Sequence, residues 1–103
     1  MKAEPYRLDP YIIDTLMADL VGHDHRPSAF LVYLAIQAAA SHGRAALSHA
    51  ELAERTGLSK RSVQNAVALL RRRELIATRQ DGPTEIIDYR PLTPWRRVEI
   101  CNN

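Results

Sequence analysis

Residues 55–67 read RTGLSKRSVQNAV, and Gly57 is the hinge on which the surrounding chain is read. Upstream, Ser48-His49-Ala50-Glu51 has the Ser-x-x-Glu spacing in which Ser48 caps an early helix amide and Glu51 reaches back to the Ser48 amide. The helix that follows carries Leu52 and Ala53 inward and stops at Gly57, a residue suited to the left-handed C-terminal conformation. Only Leu58 separates Gly57 from Ser59, the next N-cap. Beyond Ser59, the residues Val63, Ala66, Val67 and Leu70 recur on one helical face, and the helix runs to Arg73 or Glu74.

Two helices joined by a tight glycine turn form a helix-turn-helix. Ala53 keeps the crossing close, Gly57 relieves the turn, Leu58 plugs the core, and Val63 with Val67 fixes the second helix. The turn needs none of Lys60, Arg61, Ser62, Gln64, Asn65 or Ala68, which face away from that core. Their types suit a duplex, since Arg pairs with guanine and Asn or Gln with adenine in the major groove. Arg61, Gln64 and Asn65 are therefore expected to read bases. Ser59, Lys60, Ser62, Arg71, Arg72 and Arg79 are expected to hold the DNA backbone. Charge agrees: from Lys60 to Arg79 there are six basic residues and one acid, in a chain whose net charge is only +2.

Outward from this unit, Met1 to Pro10 reads as an extended arm, and Asp9-Pro10 as a helix start. Ile13, Leu16, Met17 and Leu20 follow at helical spacing, and Gly22 with His23 to Arg26 ends that helix. A second helix from Pro27 to about Ser41 is apolar almost all round and needs cover on more than one side. Ala45 to Leu47 suits a minor strand. Leu75 to Arg79 and Thr84 to Arg90 flank Asp81-Gly82-Pro83 as a hairpin, and Pro91 and Pro94 stop its second strand. The expected fold is α+β, a winged helix-turn-helix with a three-helix core, a β-hairpin wing and an extra N-terminal helix. Its expected divisions are an arm and accessory helix over 1–26, the winged domain over 27–92 and a tail over 93–103.

At this point the stretch LSHAELAERTGLSKRSVQNAVALLRRRELIATR, Leu47 to Arg79, resembles the winged helix-turn-helix of bacterial transcription regulators of the GntR and MarR groups. The specific parts are the Leu-Ala-x-x-x-Gly-Leu-Ser-x-x-x-Val pattern from Leu52 to Val63 and the Leu-Leu-x-x-x-x-Leu-Ile pattern from Leu69 to Ile76. The DNA-binding modules of plasmid and phage replication initiators are similar, with a preceding helix like Pro27 to Ala40. The resemblance implies DNA binding through the helix Ser59 to Arg73. The wing departs from the pattern, because Asp81, Glu85 and Asp88 offset Arg79 and Arg90.

The expected function is sequence-specific binding of double-stranded DNA by a small bacterial transcription regulator. The alternatives are a replication-initiator module and a winged helix used for protein contacts. A homodimer is expected through Ile13, Leu16, Met17 and Leu20 together with helix 28–41, with Trp95 and Ile100 as further candidates. No glycine-rich phosphate loop or nucleophile elbow points to an enzyme. His23-x-His25 with Asp24 lacks the partners of a metal site, so it reads as a polar loop, and no cofactor is expected. His42 and His49 have no partner that sequence identifies. The longest apolar run, Ala29 to Ala40, is too short for a bilayer. The single cysteine, Cys101, forms no internal disulfide, and the start shows no leader pattern, so a cytoplasmic location is expected.

Overall fold

The computed structural model describes Tyr6 and residues 8–40, 43–80 and 82–96. Expectations at Ser41, His42, Asp81, Ile100 and Cys101 lie outside the described residues. Three α-helices, α1 (Pro27–Ala39), α2 (His49–Thr56) and α3 (Lys60–Arg72), pack on a three-stranded antiparallel sheet. The strands are β1 (Ala45–Ser48), β2 (Ile76–Arg79) and β3 (Ile86–Pro91), with β3 in the centre. Ala46, Asp88 and Arg79 lie on one rung across all three strands. This is the expected α+β winged fold, with the β2–β3 hairpin as the wing.

Local chemistry sets the α2–α3 unit. Glu51 N–H donates to Ser48 Oγ at 3.1 Å, and Ser48 N–H donates to Glu51 Oε1 at 3.0 Å, completing the capping box. Gly57 closes α2 at φ 80°, and its N–H donates to Ala53 O at 2.9 Å. Thr56 stitches the turn: its hydroxyl donates to Leu52 O at 2.7 Å and accepts from Leu58 N–H at 3.3 Å. Ser59 then caps α3 by accepting from Ser62 N–H at 3.0 Å. The inner face of α3, Val63, Ala66, Val67 and Leu70, is buried with Leu52 of α2 and with Tyr33 and Ile36 of α1.

α3 ends in a Schellman motif without glycine. Glu74 takes φ 57°, its N–H donates to Arg71 O at 3.0 Å, and Leu75 N–H donates to Leu70 O at 2.9 Å. The chain leaves this turn directly into β2. Tyr33, fully buried on α1, donates its hydroxyl to Leu92 O at 3.1 Å and so anchors the segment after β3.

The N-terminal helix is present, but its register differs from the expected one. Asp9 caps it, with Tyr11 N–H donating to Asp9 Oδ1 at 3.0 Å. Two π-helical turns, Ile12–Leu16 and Asp19–His23, put more residues into each turn than an α-helix has. The wider winding aligns residues four apart, so Ile12, Leu16 and Leu20 form the buried stripe. Ile13 and Met17, expected on one face with Leu16 and Leu20, stand apart from them at 42% and 39% exposure, beside Val21 at 39%. Leu16 and Leu20 therefore belong to the chain's own core, and of the four residues expected from this helix to face a partner only Ile13 and Met17 are available to a second molecule. Trp95 is likewise used internally: its ring stacks on Tyr11 at 4.4 Å between centroids, and its Nε1–H donates to Asp9 Oδ2 at 3.0 Å.

α1 is two-sided, as its composition requires. Ala29, Phe30, Val32, Tyr33 and Ile36 enter the core. Leu31, Leu34, Ala35 and Ala38 line an apolar groove of about 380 Å³ closed by Tyr6, Leu8, Arg55 and Thr56. Among the described residues, no helix is long and apolar enough to cross a membrane.

Candidate nucleic-acid interface

α3 presents one outward stripe directly opposite its buried one. Lys60, Arg61, Gln64, Asn65, Ala68, Arg71 and Arg72 are all exposed, repeating at helical spacing against Val63, Ala66, Val67 and Leu70. Lys60 and Arg61 occupy one end of the stripe, Arg71 and Arg72 the other, and the uncharged Gln64, Asn65 and Ala68 the middle. A helix of 13 residues spans about 20 Å, a length that fits along a major groove roughly 12 Å wide rather than across it.

The expected site residues divide into two groups. Lys60, Arg61, Gln64, Asn65, Arg71 and Arg72 share the α3 stripe. Ser59 and Ser62 stand at its start, but both hydroxyls take part in the cap, with Ser59 Oγ–H donating to Ser62 Oγ at 3.0 Å. Arg79 is not on this stripe. Strand alternation puts it on the sheet face turned away from the helices, where it lines a hollow of about 440 Å³ with Arg44, Ile86 and Asp88. Arg44 Nη1 lies 3.4 Å from Asp88 Oδ2 there. The acid-offset wing expected from Asp88 is thus joined by a further cation, Arg44, that sequence reasoning did not place. Only the β1–β3 register brings it in.

The arginine run splits as well. Arg71 and Arg72 end α3 in the outward stripe, whereas Arg73 turns to the N-terminal helix and pairs with Asp24 and, at 3.3 Å, with Asp19 Oδ2. Asp24 also holds His23 Nδ1 at 3.2 Å. His25 takes φ 55° where that helix ends. The His23–His25 stretch is thus a helix terminus.

A second feature missed from sequence lies beside Asn65. Arg26 and Ser28, at the start of α1, form a cleft of about 400 Å³ with Ser62, Asn65, Ala68 and Arg72. Sequence read Arg26 only as loop, because nothing local shows that α1 begins against the outward face of α3. On the other flank, His49 at the start of α2 is pushed below its usual 6.5, first by burial and second by the Lys60 ammonium. It therefore stays neutral at pH 7 and adds no charge beside Lys60.

Residues 26–76 match a family model described as a helix-turn-helix domain. These residues are a helix-turn-helix domain. The match begins at Arg26, after the N-terminal helix, and ends at Ile76, the first residue of β2. The helix-turn-helix domain thus comprises α1, α2, α3 and β1, while β3 and the remainder of β2 complete the wing. DNA binding is the activity this kind of domain serves. No curated protein and no solved structure matches the chain.

Proposed function

We propose that the protein binds double-stranded DNA sequence-specifically, as a small transcription regulator in the bacterial cytoplasm, with α3 in the major groove. One observation carries this reading: the α3 stripe has cations at both ends and Gln64 and Asn65 between them, and no packing need explains any of these side chains. Arg61, Gln64 and Asn65 read base edges. Lys60, Arg71 and Arg72 hold phosphates, with Ser59 and Ser62 at the helix start and Arg79 from the wing. Two copies bind together through the outer stripe of α1, Leu31, Leu34, Ala35 and Ala38, with Ile13 and Met17 adding apolar area.

Selection of bound sequences from a random duplex pool, followed by a salt series, tests the proposal. A recovered motif and an affinity falling steeply as salt rises are expected. Asn65→Ala or Arg61→Ala lowers discrimination at one or two positions by about 1–3 kcal/mol, while Arg72→Ala weakens all duplexes alike. Failure of every duplex to bind at low salt overturns the reading.

A further inference from the structure

We infer that the cleft between α1 and α3 seats a DNA backbone phosphate, with Arg26 as the cation that closes on it. This rests on α3 being the reading helix and adds a contact outside that helix. Arg26 and Arg72 line the same cleft, and among the described residues neither pairs with a carboxylate. Their neighbour Arg73 is neutralised by Asp19 and Asp24, so these two acids are engaged away from the cleft. The polar residues lining the cleft are all of donor-bearing types, Arg26, Arg72, Ser28, Ser62 and Asn65, and among the described residues no acid lines it. Two like charges facing one hollow favour an anion between them, and a guanidinium matches phosphate oxygens with two parallel N–H bonds.

The seat is rigid on its α1 side. Arg26 N–H donates to Leu20 O at 2.7 Å, and Arg26 O accepts from Ala29 N–H at 3.0 Å. The backbone of Arg26 is thus held by the end of the N-terminal helix and by the first turn of α1 at once. The Arg73 ion pairs tie that same N-terminal helix to the end of α3. Arg26 is therefore braced against the reading helix, although the two lie far apart in sequence. Because Asn65 lines the same cleft, a phosphate seated there fixes how deep and at what register Asn65 meets the base edges.

The test compares wild type, Arg26→Ala, Arg26→Lys and Arg72→Ala on the selected duplex and on an unrelated one across a salt series, after thermal unfolding has matched their stabilities. Loss of one phosphate contact makes the slope of log affinity against log salt shallower by about 0.9, equally on both duplexes, and Arg26→Lys restores the slope. A duplex carrying one neutral methylphosphonate at the contacted position then binds wild type more weakly and weakens Arg26→Ala by a smaller factor, since Arg72 alone remains on that phosphate. An unchanged slope for Arg26→Ala beside a reduced one for Arg72→Ala overturns the seat and leaves the α3 reading standing. A loss confined to the selected duplex also overturns it, since Arg26 would then be reading a base. Failure of wild type to bind either duplex removes both.

Discussion

The Arg73 guanidinium lies 3.3 Å from the Asp19 carboxylate, joining the end of α3 to the N-terminal helix across 54 residues of sequence. With Asp24 on its other side, this arginine is subtracted from the cationic face that Arg71 and Arg72 present. Replacing both acids, Asp19→Asn with Asp24→Asn, frees it. Because the groups are partly exposed, the stability cost is about 1 kcal/mol or less. Duplex affinity at low salt rises in the same variant, with a steeper salt dependence, as fluorescence anisotropy would record. Unchanged affinity would show that the end of α3 lies away from the backbone.

Leu31 is 43% exposed on the outer stripe of α1, so Leu31→Lys places a charge at the centre of the proposed contact between copies. Sedimentation should show wild type as a dimer and the variant as a monomer. At protein concentrations low enough to dissociate wild type, thermal stability should differ by no more than about 0.5 kcal/mol, as for other exposed positions. A wild-type monomer at high concentration would remove the two-fold arrangement and leave DNA reading by a single α3.

Tyr89 is fully buried, its hydroxyl has no hydrogen-bond partner among the described residues, and burial pushes its pKa up to about 12. Between pH 10 and that value the unfolded chain releases this proton while the folded one keeps it. Stability therefore falls as pH rises through that window. Tyr89→Phe removes both the orphaned hydroxyl and this alkaline loss. It should gain about 1 kcal/mol near neutrality. Urea titrations at pH 7.5 and 10.5 would measure both effects, and a destabilised variant would reveal a hydroxyl partner.

Glu74 holds a left-handed conformation at φ 57° and places a negative charge at the C-terminal end of α3. Backbone and dipole both disfavour it there. Glu74→Gly should stabilise the fold by about 0.5–1 kcal/mol, the relief exceeding the extra entropy that glycine loses on folding. A lower Tm would mean that the Glu74 side chain contributes a contact of its own.

The parts of the molecule legible in sequence are those governed by neighbours along the chain. Ser48 with Glu51, Gly57 and Ser59 each answer to a rule spanning a few residues, so the turn and both its helices emerge where expected. The outward stripe of α3 follows from the same periodicity. The register of the N-terminal helix does not, because Ile12 rather than Ile13 is buried on a helix wound with π-turns, which the 3.6-residue period does not anticipate. Arg79 and Arg44 around Asp88 needed the order of three strands. Arg73 needed a partner 54 residues away, and Arg26 needed the start of α1 to lie beside Asn65. Residue type identified the cations; only tertiary placement sorted those engaged within the fold from those left exposed.

Trp95 stacks on Tyr11 and hydrogen-bonds Asp9, two residues at the very start of the N-terminal helix. As the chain has only one tryptophan, its emission is a built-in gauge of whether that helix is docked. A red shift preceding the loss of far-ultraviolet ellipticity would reveal the clasp springing open while the three-helix core still stands. The same emission, followed during a DNA titration, would report whether the duplex tightens the clasp.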